Sequence, residues 1–414
     1  MNLSAYISRK TFLSFRKSFT RSIIRISIIA TALSLSVMII SQSIFNGFQK
    51  EIAQKVFGFW GHIHITEIQS NRSIEPMTIK LTEGLLDSLS FFIPPGYTES
   101  PIKHVQRFLV YPSIAGSKEE FEGLFIKGLD SDFDWNFFSE FLNRGRILHS
   151  SDSGWVREIL ISEETANRLN VDTGHYVILN FIVDNEHLKR KLKVVGVFNT
   201  GLGEYDRRFA LADIHMLQQI MHKGPSDVTG LELFCKNIIQ TDSVSNYIYE
   251  NILPLDLYSE SIREKFPNIF EWLALQNTNK LFILFLIMAV CLINMSTTVM
   301  ILILERTHMI GVLTVLGMSP WNQRKIFLRY AARILMWSML LGNAIGYGLC
   351  LFQKKYHLIH LSESDYYLSY APVDLSILPI LMLNLIFFIV IILSMIIPSL
   401  IIQSIRPVKA LRFR

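Results

Sequence analysis

Residues 281–304 read LFILFLIMAVCLINMSTTVMILIL, between Lys280 and Glu305. No charge interrupts the stretch. A helix needs about 20 residues to cross a hydrocarbon core of roughly 30 Å, so this run is long enough to span a membrane. Three more runs share the property: Ile26–Gln49 between Arg25 and Lys50, Ile334–Gln353 between Arg333 and Lys354, and Leu375–Ile405 between Asp374 and Arg406. Half of the 414 residues are hydrophobic, and they concentrate in these runs. One such run suits a buried soluble helix, but four mark a membrane protein. The first begins too late and runs too long for a cleaved signal, and no small-x-small site follows it, so it reads as a retained anchor. The expected fold class is a membrane protein with four transmembrane α-helices plus a large mixed α/β extracytoplasmic domain.

Charge gives the orientation. The N-terminal tail holds Arg9, Lys10, Arg16, Lys17, Arg21 and Arg25 and no acid. The loop after the second run sets Arg306, Arg324, Lys325, Arg329 and Arg333 against Glu305 alone. Arg406, Lys409, Arg412 and Arg414 end the chain, again without an acid. Segment 47–276 has 22 Lys and Arg against 31 Asp and Glu, and the rest has 18 against 4, giving −9 and +14 within the overall +5. The positive-inside rule counts the short segments, and they place both termini in the cytoplasm and 47–276 outside. The basic balance is thus a topology signal, and no nucleic-acid-binding motif accompanies it. Of three cysteines, Cys291 and Cys350 lie in the runs and Cys235 stands alone outside, so no disulfide is expected in the outer domain.

The chain divides on this reading into a cytoplasmic interfacial amphipathic helix over 1–21, a span over 22–49, and an extracytoplasmic α/β domain over 50–276. A second span over 277–304, a cytoplasmic segment over 305–329 and a third span over 330–353 follow. An outer loop over 354–374, a fourth span over 375–405 and a cytoplasmic tail over 406–414 complete it. In the first segment Leu3, Tyr6, Ile7, Phe12, Phe15 and Phe19 recur at helical spacing among basic residues, as in a helix lying in the headgroup layer. In the outer domain HIHITEI, GLFIKGLD, KLKVVGVFN and VTGLELFCKN read as strands, EILIS-EETANRLN as strand then helix, and RRFALADIHMLQQIM likewise. Ser162 and Asp213 are placed to cap those helices. DSVSNYIYENIL reads as a further helix, and 70–105 has no clear pattern.

Catalytic and metal motifs are missing. There is no G-x-x-x-x-G-K-[ST], H-E-x-x-H or G-x-S-x-G. His62 and His64 at i, i+2 on a strand suggest a hydrated histidine pair more than a metal pair, since no third ligand is evident. His357, His360, Glu363 and Asp365 read as a solvated loop, and Glu204, Tyr205 and Asp206 as a polar turn. No ionisable residue interrupts the four runs, which argues against a proton relay. The segment ERTHMIGVLTVLGMSPWNQRKIFLRYAAR, 305–333, can form a short helix across the inner surface with Ile310, Val312, Leu313 and Leu316 facing a partner, or a plain connecting loop. The third run carries Gly342, Gly346 and Gly348, whose size permits close helix approach in lipid. The fourth carries Pro379 and Pro398, tolerated in a span or marking a bend near its end.

Four patches resemble the LolC/LolE type of lipoprotein-releasing ABC transporter permease, within the wider FtsX/MacB-like permease superfamily. SIFNGFQKEIAQKVFGFWGHIHI, 43–65, is similar to that group's span-exit motif at Asn46, Gly47 and Phe48. GVFNTGLGEYDRRFAL, 196–211, is similar to its outer motif at Gly196, Phe198, Thr200, Gly201, Glu204, Tyr205 and Asp206. ERTHMIGVLTVLGMS is similar to the coupling segment that touches the ATPase, and IIPSLIIQSIRPVKALRFR to the family's ending.

The resemblance implies a MacB-like periplasmic domain and a non-catalytic subunit of the bacterial inner membrane. It implies a cytoplasmic ABC ATPase partner, contacted through Glu305, Arg306, Gly311, Leu313, Gly317 and Ser319, and a second permease subunit, the same or homologous. The cargo implied is a lipoprotein, held between first and second spans of paired subunits and passed to a periplasmic carrier. No cofactor or metal is expected on this chain, with ATP and Mg on the ATPase. The stretch matching the carrier-recruiting loop, Ile182–Arg190, is short here, which puts carrier recruitment by this chain in question. Two alternatives stay open: MacB-like export of a peptide or drug, and an FtsX-like transducer that controls an outer partner without transport.

Overall fold

The computed structural model describes residues 19–68, 77–117, 120–149, 156–362, 366 and 368–404. Residues 1–18 of the amphipathic segment expected over 1–21, Glu363 and Asp365, and the tail 406–414 lie outside the described residues. The described residues form two compact units, one drawn from 1–50, 272–360 and 370–414, the other from 51–271 and 361–369.

The helical unit is built on long helices. α1 (Phe19–Trp60), α2 (Pro267–Glu305), α3 (Thr307–Val315), α4 (Pro320–Tyr356) and α5 (Ile377–Ser394) follow in chain order. Among the described residues four helical stretches are long and apolar enough to cross a membrane, at 40, 39, 37 and 26 residues, the last running from α5 on to Ile402. The first three contain the uncharged runs that begin at Ile26, Leu281 and Ile334, and the fourth, Ile377–Ile402, lies within the run Leu375–Ile405. The first three extend well past the run, through charged residues such as Lys50, Lys280 and Arg324. One correction concerns 305–329: α4 begins at Pro320, so the second half of that segment is the first turns of a long helix. Proline at N1 suits this start, since its missing N–H has no acceptor there.

Leu35, Met38, Ile39, Met295, Ile303, Ile334, Leu335, Phe387 and Ile391 form the core of this unit. A Cβ at Gly342 would sit 2.8 Å from the Ala32 carbonyl oxygen, and one at Gly346 would sit 3.1 Å from Ile39 Cβ. α1 and α4 therefore touch through their backbones, as small residues allow. Polar pairs add register: Ser27 Oγ lies 2.6 Å from Thr298 Oγ1, and Asn343 and Asn384 exchange amide hydrogen bonds at 2.8 and 3.0 Å. The fourth apolar run is not one helix. α5 stops at Ser394, and a short turn Ile396–Ser399 and a 3-10 segment Leu400–Ser404 follow. Pro398 cannot donate to Ser394, so the ladder breaks there, whereas Pro379 lies in the first turn, where no donor is needed.

The second unit is a mixed sheet. Its strands are β1 (Ile63–Glu67), β2 (Ile79–Lys80), β3 (Ile102–Ser117), β4 (Glu120–Leu129), β5 (Leu142–Gly145), β6 (Glu158–Ser162), β7 (Tyr176–Val183), β8 (Glu186–Phe198), β9 (Phe209–Asp213), β10 (Asp227–Val228), β11 (Gly230–Cys235) and β12 (Leu257–Ser261). Ten of them join in the order β12-β1-β11-β3-β4-β9-β6-β8-β5, with β7 pairing both β3 and β8; β2 and β10 pair separately. β4–β9 and β6–β8 are parallel and the other pairs antiparallel. The expected caps form: Ser162 accepts from the Thr165 N–H and Asp213 from the His215 N–H. The unpatterned stretch 70–105 contains a helix, Glu83–Phe91, and the start of β3.

Candidate functional sites

The corner between α2 and α4 holds the expected coupling residues. Leu316 is the C-cap of α3, and Gly317 follows at φ +83°, a left-handed conformation that glycine adopts without penalty. The Met318 N–H donates to the Leu313 carbonyl at 2.9 Å and the Gly317 N–H to Thr314 at 3.0 Å, the paired bonds of a Schellman stop. Gln323, buried in the first turns of α4, donates to Thr314 Oγ1 and to the Met318 carbonyl, both at 3.0 Å. The two helices are thereby fixed at this corner. Ile310 and Gly311 face inward and are buried, and Leu313 packs against the core. Ile310 thus corrects the expectation of four residues facing a partner: helical geometry turns it away from the face that carries Val312, Val315 and Leu316. Those three, with Trp321, are the exposed apolar residues of the corner, Leu316 at 75%. Glu305 and Ser319 are exposed, and Arg306 half-buried.

The span-exit motif acts inside the helical unit. Asn46 Oδ1 accepts from Gln42 Nε2 at 3.2 Å and from Lys280 Nζ at 3.3 Å, joining α1 to α2. Gly47 lets the backbone at Pro372 come close, since a Cβ would meet its carbonyl oxygen at 2.7 Å. The Asp374 N–H then donates to the Ser43 carbonyl, and Lys50 pairs with Asp374 at 3.6 Å. Phe48 is half-buried on the same turn.

The outer motif gathers at the end of α1, within the sheet unit. Gly196 sits on β8 where a Cβ would meet the Arg146 carbonyl at 2.6 Å, and Phe198 is fully buried against Phe138. The expected turn at 204–206 is a single helical turn, Gly203–Asp206. Asp206 is buried and accepts from Thr200 N–H, Thr200 Oγ1–H at 2.7 Å and Gly201 N–H. Burial raises its carboxyl to about 6, with the Thr200 and Gly201 donors opposing. Tyr205 follows from this fixed turn: its ring lies 5.7 Å from Trp60, the last residue of α1, and 5.0 Å from Phe266, which precedes α2.

Sequence reading did not find the polar network beneath these rings. Lys127 on β4 donates to the Phe59 carbonyl and to Glu232 Oε1 on β11, both at 2.7 Å, and Gln106 on β3 donates to Glu232 Oε2 at 2.6 Å. Lys127 and Glu232 have no exposed side-chain surface. Burial lowers the Lys127 ammonium below the usual lysine range, with Glu232 opposing. His64 contacts the Trp60 carbonyl at 2.5 Å through Nε2 and Lys265 at 2.9 Å through Nδ1. Burial, then the Lys265 and Lys127 cations, hold it neutral, so Nε2–H donates and Nδ1 accepts. His62 is also buried and accepts the Cys235 N–H at 2.7 Å. The hydrated pair expected from spacing is therefore corrected: the end of α1 covers this face of the sheet. The signal for Lys127 and Glu232 was a charge inside an apolar strand in GLFIKGL and GLELF.

Residues 281–407 match the family model described as FtsX-like permease C-terminal. Over nearly its whole length it is similar to proteins called lipoprotein-releasing system transmembrane protein. LolC of Xylella fastidiosa is 21% identical over 96% of this chain and 95% of its own length. LolE of Haemophilus influenzae is 21% identical over 87% of each, and LolC of Neisseria meningitidis 23% over 87% of each. The chain is thus similar over nearly its whole length to lipoprotein-releasing transmembrane proteins of LolC and LolE type, the resemblance read from the four patches. Among solved structures, the extracellular domain of the noncanonical ABC-type transporter YknZ from Gram-positive bacteria aligns with 48% of this chain and 99% of its own, at 16% identity and a TM-score of 0.33, a slight likeness.

Proposed function

We propose that this chain is a permease subunit that extracts lipoproteins from the outer leaflet of the bacterial inner membrane, powered by a separate cytoplasmic ATPase. The observation that carries the reading is the charge-free apolar surface of α1 and α2. Ile26, Ile29, Leu33 and Val37 on α1, and Phe282, Phe285, Val290 and Ile293 on α2, are each exposed. In a pair of subunits such faces enclose a chamber suited to acyl chains, and the partial conversion of that burial into affinity leaves room for release. The basic ends at 21–25 and 306–333 support a cytoplasmic corner at α3. Its exposed Val312, Val315 and Leu316 then form the seat for the ATPase. The sheet unit is on this reading a periplasmic domain of MacB-like type, with Tyr205 and the Lys127 network holding the end of α1.

Carrier docking rests on a smaller feature. β7 and β8 form a hairpin turned at Asp184 and Asn185, both at positive φ. At its base Arg157, Lys189, Arg190, Lys191 and Gln219 line a concavity of about 490 Å3. Four cations on a net acidic segment suit an acidic carrier surface despite the short loop. The test of the whole reading is depletion of the protein followed by membrane fractionation. Lipoproteins should accumulate in the inner membrane; their arrival at the outer membrane at the normal rate would overturn it.

A further inference from the structure

Arg324 is the fifth residue of α4 and keeps 8% of its surface. Its Nε and Nη2 have no hydrogen-bond partner among the described residues, and no ion pair reaches it there. These two groups form one edge of the guanidinium. That edge is the fork that takes two oxygens of a single carboxylate or phosphate side by side. A guanidinium withdrawn from water without an acceptor is strongly unfavourable, so an oxyanion belongs here.

The chain has little to offer it. Across 1–50, 281–354 and 375–414 the sole acidic side chain is Glu305, against a dense set of cations. Lys325 also makes no ion pair among the described residues; its ammonium lies 5.7 Å from the ring centre of Trp321, which is 53% exposed. A half-exposed tryptophan beside a lysine at the end of an apolar helix marks the headgroup level of a bilayer. The helix N-terminus adds positive potential at the same place.

We propose that Arg324, assisted by Lys325, binds the phosphate of a phospholipid in the leaflet at this end of the spans. The leaflet is the inner one on the orientation given above. A lipid suits the site better than a docked protein. Arg324 lies on the buried face of α4 with Gln323, Ile326 and Phe327, whereas Val315 and Leu316 of the corner are exposed. A headgroup beside the helix reaches that face, with its chains along the apolar spans.

Native mass spectrometry of the purified full-length chain, without ATPase or cargo, tests this. The probes are phosphatidylglycerol, phosphatidylcholine and diacylglycerol. The two phosphate-bearing lipids should be retained and diacylglycerol lost. R324Q should weaken retention of both phospholipids about tenfold, the scale of one charge-assisted contact. R324K keeps the charge without the fork and should lie between; it also reports if R324Q does not fold. Equal retention by the unaltered chain and R324K or R324Q overturns the proposal. So does a variant that keeps its lipid but no longer co-purifies with the ATPase, which would give the fork to a protein carboxylate. Because no cargo enters the measurement, its outcome is separate from that of the lipoprotein reading.

Discussion

Lys127 Nζ lies 2.7 Å from Glu232 Oε1, and both side chains are fully enclosed. Breaking such a pair from one side strands the other charge, at a cost of about 3–5 kcal/mol. Lys127→Met is therefore expected to lower the thermal unfolding temperature of the full-length protein sharply. Lys127→Met combined with Glu232→Leu removes both charges and should be less harmful than Lys127→Met alone. Thermal unfolding in detergent decides it. A double variant as damaged as the sum of the singles would remove the ion pair from the account.

The close approach of α1 and α4 gives a contrast between neighbouring glycines. Gly342→Ala places a methyl against the Ala32 carbonyl, while a methyl added at Gly348 would meet nothing within 4 Å. Overpacking of a fitted contact costs about 1–3 kcal/mol. Gly342→Ala should lower stability by that amount and Gly348→Ala should leave it near wild type, read by the same unfolding assay. Equal effects would show that the backbone contact is not what holds the helices.

Asp206 predicts a pH dependence. Its folded carboxyl sits at about 6 against an ordinary 3.8, so between those values the folded state binds more protons than the unfolded one. Its contribution to stability then falls as pH rises through about 4 to 6. The size is about 3 kcal/mol at most. His62, lowered to about 4 by burial, acts with the opposite sign over about 4 to 6.5. The informative quantity is the difference between wild type and Asp206→Asn, which should shift against the wild type as pH rises across this window. A difference that stays flat there excludes Asp206 as the titrating group.

At the α3 corner, two leucine-sized positions should part company. Leu316→Glu alters an exposed residue and should abolish co-purification of the ATPase while leaving the unfolding temperature within a few degrees of wild type. Ile310→Glu buries a charge and should fail at folding. Gly317→Ala should cost about 1 kcal/mol through its left-handed backbone. An ATPase that stays bound to the Leu316→Glu protein would move the seat elsewhere.

Much of this was open to reading from the chain alone. Uncharged runs of sufficient length announce the long helices, and alternation finds β1, β8 and β11. Caps at Ser162 and Asp213 follow from local chemistry. What escaped depends on distant partners. His62 and His64 look hydrated from spacing because nothing nearby in sequence shows that the end of α1 covers them. Lys127 and Glu232 stand 105 positions apart, and each looks like a solvated strand charge until the sheet sets them face to face. β3, at 16 residues, mixes His, Gln, Arg and Pro with apolar residues, and sheet neighbours override its poor local pattern.

The placement of β1 has a bearing on synthesis. Ile63 pairs with Leu233 and with Ser261, so this strand, made directly after the first helix, finds neither neighbour until almost the whole domain has emerged. Pairing across such separations is slow, because chain closure is costly before any contact rewards it. Until then β1 presents two open edges, IHITE among them, to any strand that passes. The order of manufacture thus makes β12, only a few residues before α2, the closing piece. The sheet completes as the second long helix is being made.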